Sequence, residues 1–145
     1  MIYLGADHAG FGLKEMIKKY LDSSKIQFED LGTYSEASCD YALIAEEVAR
    51  AVVEEKNSLG LLFCGTGVGM SIAANKVKDV RAACCSDCYS AKMTRLHNDA
   101  NILCLGSRVI GIGLAEQIVE VFLNTDFTNE ERHSRRINQI HKLEK

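Results

Sequence analysis

Cys64 stands directly before Gly65-Thr66-Gly67-Val68-Gly69, three glycines at alternate positions with a threonine among them. A thiol in such a place can serve as a nucleophile or as a general base. Alternating glycines let backbone amides turn inward onto an anion, and a helix start adds its positive end. That combination suits a phosphate, an oxyanion or a thiolate. A plain strand–helix turn needs only one or two glycines. No Lys follows the last glycine, so this is no Walker loop, and G-x-G-x-G differs from the dinucleotide fingerprint G-x-G-x-x-G. The bland alternative for Cys64 is a small buried residue at a strand end.

Other polar residues are candidates to complete a site. Asp7-His8-Ala9-Gly10 reads either as a capping pair at a helix start or as a polar pair facing a ligand. His97-Asn98-Asp99 either closes a helix or presents an imidazole and an amide. Arg108 follows Gly106-Ser107, and Arg132 and Arg136 lie four apart on one helical face, a spacing that suits phosphate or an ordinary solvated surface. Six cysteines without a signal sequence read as reduced thiols. Cys85 and Cys88 form a lone C-x-x-C, with neither a second pair nor histidines at zinc spacing, so no metal site is expected. A thiol redox role for that pair is a separate alternative.

Short apolar runs alternate with stretches of helical period. Strands are expected at Ile2 to Ala6, Ile26 to Leu31, Leu59 to Phe63, Val80 to Cys85 and Ala100 to Gly106. Helices are expected from Phe11 past Leu21, from Tyr41 past Val52, and from the glycine run to about Lys78. Three more follow, from about Asp87 to Leu96, around Leu114 to Phe122, and a basic one from about Asn129 to Leu143. Strand–helix alternation implies right-handed crossovers and a parallel sheet covered on both faces. The expected fold is a three-layer α/β/α, Rossmann-like domain over residues 1–145, with five parallel strands in the order 2-1-3-4-5 and an extra C-terminal helix. Ligands of such sheets sit beyond the carboxyl ends of strands, where strand order reverses. The loops after strands 1, 3 and 5 carry Asp7, Cys64 and Arg108 there.

The 145 residues are 47% hydrophobic and 26% charged, which excludes a disordered chain, a collagen and a coiled coil. A net charge of −3 gives no reason to expect nucleic acid. No apolar run reaches the roughly 18 residues of a membrane span, so a soluble, cytoplasmic chain is expected.

Taken together, Asp7 to Gly10, Cys64 to Gly69, His97 to Asp99, Gly106 to Arg108 and Arg132 to Arg136 resemble the pattern of ribose-5-phosphate isomerase type B, over essentially the whole chain and in the same order. Galactose-6-phosphate isomerase subunits belong to the same wider group. The resemblance implies cofactor- and metal-free interconversion of ribose 5-phosphate and ribulose 5-phosphate through an enediolate. It implies Cys64 as the base moving a proton between C1 and C2, and His97 as the ring-opening residue. It gives Thr66 and the amides of Gly65, Gly67, Val68 and Gly69 to the enediolate oxygen, and Asp7, Tyr41 and Asn98 to sugar hydroxyls. His8, Arg108, Arg132 and Arg136 fall to the phosphate. A 6-phosphohexose (allose or galactose 6-phosphate) and a non-catalytic sugar-phosphate binding module are the alternatives. His97 precedes strand 5 and so belongs at the amino edge, across a domain about 26–30 Å wide. A homodimer with sites shared between subunits is therefore expected, with a tetramer as the larger option.

Overall fold

The structure, a computed structural model, describes residues 1–144. Its strands are β1 (Ile2–Ala6), β2 (Phe28–Asp30), β3 (Leu59–Cys64), β4 (Ala82–Cys84) and β5 (Ile102–Gly106). Its helices are α1 (Phe11–Ser23), α2 (Tyr41–Glu54), α3 (Val68–Ala74), α4 (Cys88–Asn98), α5 (Ile112–Leu123) and α6 (Glu131–His141). All strand pairs are parallel. Parallel strands buried on both faces should read as continuous apolar runs, and β3 (LGLLFC) and β5 (ILCLG) do.

Side chains alternate across this sheet. Leu61, Phe63, Leu103 and Leu105 pack with Leu13, Ile17 and Leu21 of α1, Ala91 of α4 and Ile118 and Phe122 of α5. Leu62, Cys64, Ile102 and Cys104 face Val48 and Val52 of α2 and Met70 and Ala74 of α3. Three layers result, and each fully buried Leu, Ile or Phe among them contributes about 1.5–3 kcal/mol. Helix α6 lies outside these layers and meets α4, seating His133 and Ile137 as its buried residues. Among the described residues, no helix is long and apolar enough to cross a membrane.

The strand order is β2-β1-β3-β5-β4, not the 2-1-3-4-5 expected from chain order. The reason is visible in burial. Every residue of β5 is buried, as a central strand requires, whereas β4 has three residues, the last of them exposed, as an edge strand permits. The chain passes over β5's position to the edge and then returns. This swap matters for the site, because β5 now pairs directly with β3 and sets Gly106 opposite Cys64. Helix α3 also ends sooner than expected, at Ala74 rather than near Lys78.

Fully enclosed in this fold is a charged side chain, Lys14 of α1. Its Nζ donates to Asp30 Oδ1 at 2.6 Å and to the Thr33 carbonyl at 2.5 Å. Burial alone would raise the Asp30 pKa, but hydrogen bonds from Lys14, Lys18 and the Gly32 amide more than offset this and hold it below the ordinary value. Lys14 thereby pins the segment after β2 that leads to Cys39 and Tyr41.

Candidate active site

Three adjacent strands, β1, β3 and β5, end at one place, and backbone hydrogen bonds lace their loops together. The Asp7 amide donates to the Phe63 carbonyl (3.1 Å), the Ser107 amide to Cys64 (2.9 Å) and the Arg108 amide to Gly65 (3.0 Å). Ser107 Oγ donates to the Ala9 carbonyl at 2.7 Å, tying the β5 loop to the β1 loop. Gly10 sits so close to β3 that a Cβ there would be driven into the Phe63 carbonyl. The expectation that Asp7, Cys64 and Arg108 share the carboxyl edge is met by this lacing.

Cys64 ends β3 and is 5% exposed. The Gly67 amide donates to its Sγ at 3.0 Å, which fixes the sulfur at the mouth of the glycine loop. Gly67 itself has φ +81°, a left-handed conformation that L side chains rarely adopt, and a Cβ there would stand 2.9 Å from Cys84 Sγ. Val68 opens α3, and its amide donates to Thr66 Oγ1 at 3.2 Å. Thr66 is exposed. The Tyr41 ring lies over Gly69, 2.9 Å from where a Cβ would be, and the Arg108 guanidinium lies 3.1 Å from the same position on Gly65. Buried Asp7 accepts from the Gly10 amide at 2.9 Å. His8 Nδ1 accepts from the Cys39 amide at 3.3 Å, which leaves Nε2 as the nitrogen to meet an incoming group.

His97, Asn98, Arg132 and Arg136 form a second cluster, which does not join the first within one chain. The Asn101 carbonyl just beyond α4 accepts from the amide of Gly60, at the opposite end of β3 from Cys64. Four residues of strand separate those ends, about 13 Å. His97 stacks on His133 with ring centroids 4.4 Å apart. His133 is 6% exposed, and its Nε2 is buried without a hydrogen-bond partner. Burial lowers its pKa, and the neighbouring His97 and Arg132 push the same way. Arg132 is held by Glu130 at 2.9 Å and Arg135 by Glu131 at 2.7 Å, while Arg136 has no acidic partner among the described residues. Its guanidinium is therefore free for an anion.

Sequence reasoning missed Ser107, the Cys39 amide and His133 as site-forming groups. Only His133 left a signal: it lies four residues before Ile137 and shares that helix's buried face. The C-x-x-C pair looks unlike a redox centre. Cys85 is buried and its thiol is pushed up to about 11 by burial, then by Cys84 and Asp87, so it stays protonated near neutrality.

A three-layer parallel α/β fold with a thiol held by a glycine-loop amide and a guanidinium without an acidic partner among the described residues defines a protein suited to proton transfer on an anionic substrate. Residues 2–140 match the ribose/galactose isomerase family, and the chain belongs to it. Ribose-5-phosphate isomerase B of Escherichia coli is 44% identical over 143 residues, covering 99% of this chain and 95% of that protein. The solved ribose-5-phosphate isomerase B of Clostridium thermocellum superposes with a TM-score of 0.95 at 44% identity, covering 98% of this chain and 95% of that one. That of Mycoplasma genitalium, solved with bound ribulose-5-phosphate, gives 0.92 at 40% identity over 98% of this chain and 94% of that one.

Proposed function

We infer that this chain interconverts ribose 5-phosphate and ribulose 5-phosphate, with Cys64 as the proton-transfer base. The observation that carries the residue assignment is the Gly67 amide on Cys64 Sγ, at the mouth of the glycine loop. In the reaction, the thiolate takes the proton from C2 of the open aldose. The electrons move into an enediolate, a proton passes from O2 to O1, and the proton on sulfur returns to C1 as C2=O2 forms. Charge develops on O1, and this reading gives it to Thr66 and the amides of Gly65 and Gly69, since the Gly67 amide is held by Cys64 Sγ and the Val68 amide by Thr66 Oγ1. Asp7 and Tyr41 line the sugar hydroxyls, and His8 and Arg108 the near side of the phosphate.

The ring-opening His97, with Asn98, Arg132 and Arg136, comes from a second copy. The separation along β3 supports this reading, and so do two surfaces. Val68 and Ile72, one turn apart on α3 beside the glycine loop, are 51% and 59% exposed. Beside Asn98 lies a cleft of about 760 Å³, lined in part by Val77, Val80, Ile140 and Leu143. Seating one copy's ridge in the other's cleft brings Cys64 toward the partner's histidine, twice, about one axis. Six free cysteines suit a reducing compartment, and the cytoplasm is the proposed location.

The test is ribulose 5-phosphate formation in EDTA, with allose 6-phosphate run in parallel. Turnover of the pentose that disappears in a folded Cys64→Ala variant is expected. Near-normal turnover in that variant removes the role of Cys64. Preference for the hexose moves the substrate to the larger sugar.

A further inference from the structure

Arg81 precedes β4 at the amino edge of the sheet, with its side chain 15% exposed. Its Nε donates to the carbonyls of Asn98 (2.9 Å) and Asp99 (3.0 Å). Nη2 donates to the Asp99 carbonyl (2.8 Å) and to Asp99 Oδ2 (3.3 Å). Nη1 meets His141 Nε2 at 2.9 Å and the Asp79 carbonyl at 3.4 Å. A guanidinium has five N–H donors, and these contacts occupy all of them inside the subunit. Arg81 therefore has no donor to spare for a substrate.

What it grips is the end of α4. Terminal carbonyls of a helix have no partner within it and carry the negative end of its dipole. Arg81 satisfies two of them and supplies the opposing charge. Asp99, in the left-handed region at φ 46°, is also held by Arg95 at 3.1 Å. The last two residues before this clamp are His97 and Asn98. Through His141 the same guanidinium reaches α6, the helix that carries Arg132 and Arg136. One planar group thus fixes the imidazole against the arginines that it must work beside. A lysine, with a single nitrogen, cannot span these directions.

We propose that Arg81 is a positioning residue for opening the aldose ring. The proposal rests on the reading that His97 performs that step. In it the anomeric hydroxyl loses its proton, C1=O1 forms as the C1–O4 bond breaks, and O4 takes up a proton; composition is unchanged. The imidazole must meet both oxygens in turn, so a small drift of the end of α4 costs this step. With saturating substrate it costs the enediolate step little, because Cys64 and its loop belong to the other edge and any weakened contact from Asn98, Arg132 or Arg136 falls on KM.

Ribulose 5-phosphate separates the two steps. Its O5 carries the phosphate, so it cannot close a five-membered ring. Exchange of its C1 hydrogen with deuterated solvent reports on Cys64 chemistry alone. In Arg81→Met, turnover of ribose 5-phosphate at saturation should fall roughly 10- to 100-fold, the range that charge-assisted hydrogen bonds carry. Exchange into saturating ribulose 5-phosphate should stay within about threefold of wild type on the same reasoning. Arg81→Lys should show the same split with a smaller loss, and it serves if the methionine variant does not fold. Equal losses in both readouts, or none in either, overturn the proposal. His97→Gln is measured alongside. If it loses only ring-dependent turnover while the Arg81 variants do not, Arg81 alone is refuted. If His97→Gln loses both readouts or neither, the ring-opening reading fails, and the Arg81 proposal fails with it.

Discussion

Gly67 concentrates the most structure in the fewest atoms, so Gly67→Ala is the sharpest single perturbation of the loop. Two costs add. Holding a non-glycine residue at φ +81° costs roughly 1–2 kcal/mol. The new Cβ would also stand 2.9 Å from Cys84 Sγ and 3.1 Å and 3.3 Å from the backbone carbons of Leu105 and Cys104. Overpacking of that kind costs about 1–3 kcal/mol. Together the loss is on the order of 2–5 kcal/mol, which for a chain of this length lowers the melting temperature by roughly 6–15 °C. Only part of the crowding is side chain. Gly67→Ala/Cys84→Ala should therefore recover about 1 kcal/mol, leaving the backbone cost in place. The loop must also shift, which carries the Gly67 amide away from Cys64 Sγ, and kcat should fall with stability. Thermal melts and initial rates of wild type, both single variants and the double variant complete the cycle. Gly67→Ala melting within about 2 °C of wild type at full kcat would refute this account of the loop, given the penalties above.

Other perturbations follow from the same geometry. Lys14→Met removes one of two lysines from Asp30, and with Lys18 still 2.7 Å from Oδ2 the loss should fall at the lower end of about 3–5 kcal/mol, while loosening the segment before Tyr41 and raising KM; a melt and a KM determination check it. The depressed Asp30 pKa means that stability present above the ordinary carboxylate pKa is lost as pH falls below about 4, and this dependence should shrink in Lys14→Met denaturant titrations. His133 binds its proton less readily folded than unfolded, so it opposes folding as pH falls below about 6.5. Its imidazole resonances should titrate below those of an unfolded control. Cys85→Ser/Cys88→Ser should leave turnover nearly intact, and a large loss would restore a role for that pair.

How far the sequence revealed this molecule depended on whether the determining contact was local. The β3–loop–α3 unit was legible because one apolar run, three glycines and a helical period lie side by side. The placement of His97 away from Cys64 was legible too, since a helix after a parallel strand must return the chain to the amino edge. The order of β4 and β5 was misread because chain order carries no sign of which strand lies at the edge. The signal was burial, a short half-covered run in β4 against a fully buried one in β5. Lys14 was invisible for a related reason: its partner Asp30 lies sixteen residues away on strand β2, and nothing in α1 announces a buried cation. Arg81 falls within the expected strand Val80 to Cys85, and its partners in α4 and α6 lie far off in sequence, so its clamp left no local signal.

Subunit mixing asks whether a working site takes Cys64 from one copy and His97 from another. Inactive Cys64→Ala and inactive His97→Gln proteins are combined in equal amounts and allowed to exchange, with hybrid formation verified by differential tagging. Random pairing makes half of the dimers hybrids. In each hybrid one site carries both substitutions and the other carries neither. Activity should therefore return to roughly 25% of wild type for a twofold-symmetric dimer. A mixture that remains inactive after verified exchange would mean that each site is complete within one chain, and would contradict the account.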